Sequence, residues 1–491
     1  MTDPIATTTG GDVRGSTRDG VHAFRSIPYA APPVGALRCR PPVPAEPWTG
    51  VRDATQFGPV APQLPSPLEA MLGAPDPVVS EADSLTLSVY TPGLDDARRP
   101  VLFWIHGGAF VNGTGGSPIY DGTRFATHGD LVVVSINYRL GAFGFLHLDE
   151  IFGDEFAGSG NVGILDQVLA LEWTRDNVAA FGGDPDRVTI FGESAGGMSV
   201  GTLLGTPRAQ GLFSQAIVQS GSATYAMSSK SATEVARSVL AEAGIDTVAE
   251  LESASTDALL AAQGKVLAAG ARTDLPFMPV IDRAVLPRLP LDEVRDGLGT
   301  VPTMIGTTKD EMTLFTALDL GVGELDGDAV NRELDRTFGD RGDEVLAAYT
   351  TQHPDYSHRD LLTALATDRV FRIPAIRLAE AAVERRPTYM YLFTWETPVF
   401  DGKLKSCHAL ELPFMWDAID KPGLSMLTGD GPERQALADA MHAAWIAFAR
   451  TGDPGWPAYD LQRRTTRRFD TTVETLDDPE GARRELWAGI G

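Results

Sequence analysis

Short apolar runs recur along the chain, each separated from the next by a longer amphipathic or polar stretch. Val101–Ile105, Leu131–Asn137, Val188–Phe191, Ala216–Gln219, Pro302–Gly306 and Tyr389–Phe393 read as buried strands. In the stretch from Ile164 to Val178, the residues Ile164, Val168 and Leu171 recur at helical spacing, and Gly182-Gly183-Asp184-Pro185 provides the stop. A second stripe, Leu437, Met441, Ala444, Trp445 and Phe448, predicts a helix that stops before Gly452-Asp453-Pro454. Buried strands alternating with helices are the pattern of a largely parallel sheet with helices on its faces.

Residues 1–100 break this rhythm. They are rich in proline, notably Ala31-Pro32-Pro33 and Pro41-Pro42, and predict extended, loop-rich surface chain rather than a separate domain. Residues 228–300 and 317–385 are helical in composition and carry no catalytic motif, so they are candidates for a cap over a site. No repeat, low-complexity tract or linker divides the chain, and residues 1–491 are expected to form one domain with insertions.

Composition narrows the functional classes. The 491 residues carry 41 Lys and Arg against 66 Asp and Glu, a formal net charge of −25. A surface this acidic disfavours nucleic acid, whose binding needs a basic face. No uncharged apolar run reaches membrane-spanning length, since Asn137, Tyr138 and Arg139 interrupt the longest, Leu131 to Leu146. Two cysteines, Cys39 and Cys407, support neither a disulfide framework nor a Cys-rich metal site. A bridge between them is not expected, and the N-terminal residues lack a secretory pattern. The expectation is a cytoplasmic protein of GC-rich bacterial coding origin, monomer or homodimer.

The chemistry centres on the G-x-S-x-G at Gly192-Glu193-Ser194-Ala195-Gly196. It follows the apolar run Val188–Phe191 and precedes Gly197-Met198-Ser199-Val200-Gly201, small and apolar residues able to open a helix. A serine on such a tight strand-to-helix turn projects its hydroxyl clear of the sheet. Acyl transfer also needs donors for the oxyanion that forms during attack. Trp104-Ile105-His106-Gly107-Gly108-Ala109-Phe110 follows a predicted strand and is an HGGG-type loop with alanine in its last position. Ala195, next to the serine, adds a further N–H.

Of the eight histidines, His22, His106, His128 and His147 precede the serine, whereas sites built on this elbow place the base last. His353 and His358 lie in a polar stretch and His442 in the C-terminal apolar stripe. His408 remains, in Ser406-Cys407-His408-Ala409-Leu410-Glu411-Leu412-Pro413-Phe414, a short loop after a predicted strand. The acid lies best in Gly306-Thr307-Thr308-Lys309-Asp310-Glu311-Met312, just past another strand. Position alone does not choose between Asp310 and Glu311, since either carboxylate can orient an imidazole.

With these motifs the chain resembles the type B carboxylesterase, or cholinesterase-like, family of α/β-hydrolases, particularly bacterial para-nitrobenzyl esterases. The resemblance runs from Gly11-Asp12-Val13-Arg14-Gly15 through Asn137-Tyr138-Arg139 and Phe181-Gly182-Gly183-Asp184-Pro185 to Gln219-Ser220-Gly221-Ser222. It continues through Asp310-Glu311 and Cys407-His408 to Trp456-Pro457-Ala458-Tyr459-Asp460. It implies an α/β-hydrolase fold: a large, mostly parallel sheet flanked by helices, with helical insertions capping the active site. The implied triad is Ser194, Glu311 and His408, with Gly108, Ala109 and Ala195 as oxyanion donors. Glu193 is implied as a buried acidic neighbour, and Ser220 as a supporting serine near the acid. Met198, Phe277 and Phe315 match pocket positions of similar esterases and are equally plausible as core. Met312 stands where the family often has glycine, which would narrow the acyl side. The cysteine of the family's Ser-Glu-Asp-Cys-Leu segment is missing from Ser80-Glu81-Ala82-Asp83-Ser84-Leu85, and its disulfide with it.

The implied activity is hydrolysis of small carboxylic esters through an acyl-enzyme, with no metal or organic cofactor. The same triad also serves amide, carbamate or lactone bonds. Relatives that act only as binding modules typically lose the nucleophile, which is present here.

Overall fold

All six predicted apolar runs become strands of one sheet. The computed structural model describes residues 3–66, 77–269, 275–317 and 327–490; the parts of the two helical insertions at 270–274 and 318–326 lie outside the described residues. In chain order the sheet consists of β1 (Ser16–Arg18), β2 (Val21–Pro28), β3 (Thr86–Thr91), β4 (Arg99–Ile105), β5 (Val132–Ile136) and β6 (Gly183–Glu193). It continues with β7 (Gln215–Gln219), β8 (Thr303–Thr308), β9 (Thr388–Phe393), β10 (Thr465–Phe469) and β11 (Glu474–Asp477). The spatial order across this 11-stranded sheet is β11-β10-β9-β8-β7-β6-β4-β5-β3-β2-β1.

The strands from β10 to β5 are all parallel, whereas β11 on one side and β3, β2 and β1 on the other pair antiparallel. The sheet is therefore mixed, with a parallel centre and antiparallel edges. Both faces of the centre are buried, as parallel sheets require. Along β4, Val101, Phe103 and Ile105 enter one core while Leu102 and Trp104 enter the other, following the two-residue period of a strand. Helices α1 (Val162–Asn177) and α2 (Ala195–Leu204) pack in the first core and α3 (Arg434–Thr451) in the second. Ile164, Val168 and Leu171 of α1 are fully buried, as are Met441, Trp445 and Phe448 of α3.

The N-terminal hundred residues correct the sequence expectation. They are not only surface chain: β2 and β3 bring Phe24, Ile27, Leu87 and Val89 into the main core. Proline-rich stretches on either side hide these strands from a periodicity reading, and β2 shifts register between Phe24 and Ile27. The predicted stop at Gly182–Pro185 is half a stop. Gly182 turns the chain with φ +75, and Gly183, Asp184 and Pro185 already belong to β6.

Strand β4 sits between β5 and β6, so the chain leaves it first to one side and later returns on the other. At such a switch point the loops beyond the two strand ends diverge and open a crevice at their carboxyl ends. The loop after β4 and the turn after β6 both start there. The fully buried Asp166 of α1 accepts from the Arg139 Nε at 2.8 Å, its Nη2 at 2.7 Å and its backbone N–H at 2.9 Å. Cys39 and Cys407 are buried and unpaired. Among the described residues no helix is long and apolar enough to cross a membrane.

Candidate active site

The turn after β6 is strained. Ser194 has φ 56 and ψ −126, a conformation that costs a residue with a side chain about 1–3 kcal/mol. Surrounding contacts hold it there. The Ser194 N–H donates to Gln219 O at 3.0 Å, and its carbonyl accepts the Met198 N–H at 2.8 Å inside α2. The turn also needs an absent side chain: a Cβ on Gly196 would lie 2.0 Å from the Ile105 carbonyl oxygen. Only glycine lets the start of α2 pass this close to the end of β4.

Opposite the elbow, the loop after β4 turns through three successive positive φ values, +113 at Gly108, 53 at Ala109 and 61 at Phe110. A turn can gather successive backbone N–H groups into an anion-binding concavity. Among the described residues, the N–H groups of Gly108, Ala109 and Ala195 have no backbone or side-chain acceptor. The loop is anchored at its start, where Tyr138 donates to His106 O at 3.0 Å and stacks on the His106 ring at 4.6 Å. Burial pushes His106 down to about 4, so near neutral pH it carries no charge.

Residues from β8 and β9 complete the arrangement. Glu311, fully buried just beyond β8, faces His408 with Oε2 2.6 Å from Nδ1. Its other oxygen accepts from Ser220 Oγ at 2.6 Å and from the Thr308 N–H at 2.8 Å. The His408 N–H also donates to Glu311 O at 3.2 Å. Asp310, the other carboxylate that sequence position allows, instead accepts from the Ser406 N–H at 3.4 Å.

The second imidazole nitrogen, Nε2, lies 3.1 Å from Glu193 Oε1, in ion-pair contact but outside hydrogen-bond alignment. Among the described residues Ser194 Oγ makes no hydrogen bond, and catalytic contacts often tighten only when substrate binds. Burial opposes charge on His408, yet the charges of Glu193 and Glu311 outweigh it and hold the imidazole up at about 9. Burial also pushes Glu193 up to about 7, against the pull of His408.

Of the pocket candidates, Phe315 lies tilted against the His408 ring at 5.2 Å and is 44% exposed. Met198 is buried one turn along α2 from Ser194. Met312 follows Glu311 and donates its N–H to Thr367 Oγ1 at 3.1 Å. Phe277 is fully buried in the main core and makes no ring contact with His408.

Two neighbours escaped the sequence reading. Phe371 packs on His408 at 4.8 Å from a π-helical turn, Asp368–Arg372, within the second helical insertion. No periodicity marks it. Glu411 is fully buried beside the site, pushed up to about 8 by burial and by the charges of Glu193 and Glu311. Its signal was visible: an acid inside the apolar segment that follows His408. Glu411 Oε1 accepts from Gln219 Nε2 at 3.3 Å, and Gln219 Oε1 accepts from Trp445 Nε1 at 3.1 Å, which ties the site to α3.

A family model described as the carboxylesterase family matches residues 2–482. The para-nitrobenzyl esterase of Bacillus subtilis is 39% identical over 499 residues, spanning 99% of this chain and 98% of that protein. The phenmedipham hydrolase of Pseudarthrobacter oxydans is 39% identical, spanning 98% of this chain and 96% of that one. Among solved structures, a Geobacillus stearothermophilus carboxylesterase superposes with a TM-score of 0.89 at 43% identity, covering 98% of this chain and 99% of the other.

Proposed function

The chain belongs to the carboxylesterase family and is a carboxylic-ester hydrolase, and on that premise we propose that Ser194, His408 and Glu311 carry the reaction. His408 Nε2 takes the Ser194 Oγ proton as Oγ attacks the ester carbonyl. The resulting oxyanion rests on the N–H groups of Gly108, Ala109 and Ala195. His408 then gives the proton to the leaving alcohol, and water repeats the two steps on the acyl-enzyme. Glu311 holds the tautomer and stabilises the imidazolium, with Ser220 fixing its far oxygen. No step calls for a metal or organic group.

The observation that carries this reading is the 2.6 Å contact between Glu311 Oε2 and His408 Nδ1, with the other imidazole nitrogen 3.1 Å from Glu193, the residue before a strained serine. The domain reading is one unit whose second insertion serves as part of a cap, because it places Phe371 on His408. Met198, Met312 and Phe315 are the proposed pocket wall, with Met312 narrowing the acyl side. Phe277, fully buried in the main core, is the fourth pocket candidate. Two buried free thiols and bacterial relatives favour a bacterial cytoplasm.

The test is hydrolysis of a short p-nitrophenyl ester by wild type and by Ser194→Ala, with and without chelator. Chelator-insensitive turnover that falls by orders of magnitude in the variant is expected. Equal activity in both proteins would remove Ser194 from the mechanism. Matched amide, carbamate and lactone substrates measure how far the site extends beyond esters. Phenmedipham belongs in that set because a relative is named for its hydrolysis.

A further inference from the structure

Gln63 belongs to the proline-rich N-terminal stretch, where the sequence reading found no chemistry. It is 6% exposed, and its carboxamide meets both polar groups of a single backbone residue. The Gly113 N–H donates to Gln63 Oε1 at 2.8 Å, and Gln63 Nε2 donates to Gly113 O at 3.0 Å. The same Nε2 donates to Ala61 O at 3.1 Å. A planar amide engaged at both ends fixes the position and rotation of the residue it holds.

Gly113 in turn presses on the loop after β4. It has φ +107, and a Cβ there would lie 2.4 Å from Gly107 O and 2.6 Å from His106 Nδ1. Its backbone therefore abuts the Gly107 carbonyl. That carbonyl and the Gly108 N–H belong to one planar peptide unit, so fixing the first fixes the direction of the second. The far end of the loop is pinned separately: Asn137 Oδ1 accepts from the Gly115 N–H at 2.9 Å and from Thr114 Oγ1 at 3.0 Å.

We propose that Gln63 is a positioning residue for ester hydrolysis, aiming the Gly108 N–H at the oxyanion through Gly113 and the Gly107 carbonyl. The proposal rests on the reading of Gly108 as an oxyanion donor. Gln63 touches neither substrate nor triad, and its effect falls on the charge that develops during attack. The negative oxygen exists in the transition state and not in the bound ester, so kcat responds and KM does not.

The experiment compares wild type, Gln63→Met, Gln63→Glu and Ser194→Ala. Met removes both hydrogen bonds at similar length, while Glu keeps the acceptor for the Gly113 N–H and loses the donor. Active sites are counted by titration with an organophosphate, so misfolded protein does not enter kcat. On a p-nitrophenyl ester, Gln63→Met is expected to lower kcat by about 10- to 100-fold. KM stays within about twofold, and Gln63→Glu, whose carboxylate faces the Gly113 and Ala61 carbonyls, lowers kcat at least as far. Affinity for an aryl trifluoromethyl ketone, which forms a tetrahedral adduct, weakens by the same factor as kcat. Unchanged kcat and ketone affinity in Gln63→Met would overturn the proposal. So would a fall in kcat without a matching loss of ketone affinity, which would mark general loosening. Should Gln63→Met fail to fold, wild-type behaviour in Gln63→Glu overturns it equally. Turnover by Ser194→Ala, or no inhibition of wild type by the ketone, would instead sink the catalytic reading of the site, independently of Gln63.

Discussion

His408 Nε2 and Glu193 Oε1 stand 3.1 Å apart, so the imidazole is held between two carboxylates, Glu311 on one nitrogen and Glu193 on the other. A base of this kind works only when it is uncharged, and kcat/KM therefore rises with pH through its titration. Burial lowers His408, but the two carboxylates reverse the sign and bring it to about 9. Replacing Glu193 with Gln removes one raising charge and leaves the burial. The acid limb of the kcat/KM–pH profile is expected to move to lower pH in Glu193→Gln. A profile that keeps its acid limb would show that Glu193 does not set the charge state of His408.

Ser220 supports the other carboxylate. Its hydroxyl donates to Glu311 Oε1 at 2.6 Å in a fully buried setting. Hydrogen bonds to a charged group contribute about 1.5–3 kcal/mol, and removing this one leaves that oxygen held by the Thr308 N–H alone. Ser220→Ala is expected to lower kcat about tenfold with KM little changed. Steady-state kinetics on one ester, with the melting temperature as a control for folding, checks it.

Gly196 tests the elbow as a steric object. In Gly196→Ala the methyl group would meet the Ile105 carbonyl at 2.0 Å, and backbone rather than a flexible side chain lies in its way. A loss of about 3 kcal/mol or more is expected, at the upper end of overpacking effects. Urea unfolding measures it, and a midpoint equal to wild type would mean that the turn can open without cost.

The Arg139–Asp166 pair is structural. With Asp166 fully buried and Arg139 only 2% exposed, Arg139→Met strands a carboxylate in the core. The expected cost is about 3–5 kcal/mol. Exchanging both partners for apolar residues, Arg139→Met with Asp166→Leu, should recover part of that loss. Denaturant titration of the single and double variants decides between an unpaired charge and lost packing.

Much of the fold was readable because central strands of a parallel sheet are continuous apolar runs. Val101–Ile105 and Tyr389–Phe393 have no polar alternation to blur them. The edge strands lacked that signal. Residues Thr86–Thr91 interleave Leu87 and Val89 with hydroxyl residues, and β2 carries a register shift that breaks its period. At the site, Ser194 and the glycines around it were legible because a strained turn tolerates few residue types. His408 is legible from order along the chain together with its short loop after a strand, since His353, His358 and His442 also follow the serine. Asp310 and Glu311 were not separable, because adjacent residues share a position in sequence but leave the strand in different directions. Phe371 and Gln63 act through contacts with distant segments, and nothing in their local sequence encodes those partners.

The triad candidates leave three different strands, and even Glu311 and His408 lie 97 residues apart along the chain. Closing loops of that length is an entropic cost met before any contact inside the site is made, which slows folding and delays long-range pairing. A growing or clipped chain that has not yet added β9 to the sheet holds an elbow without a base. Hydrolysis is thus a late event in the life of the molecule. In refolding experiments its recovery should trail helix formation and mark the moment at which the sheet is complete.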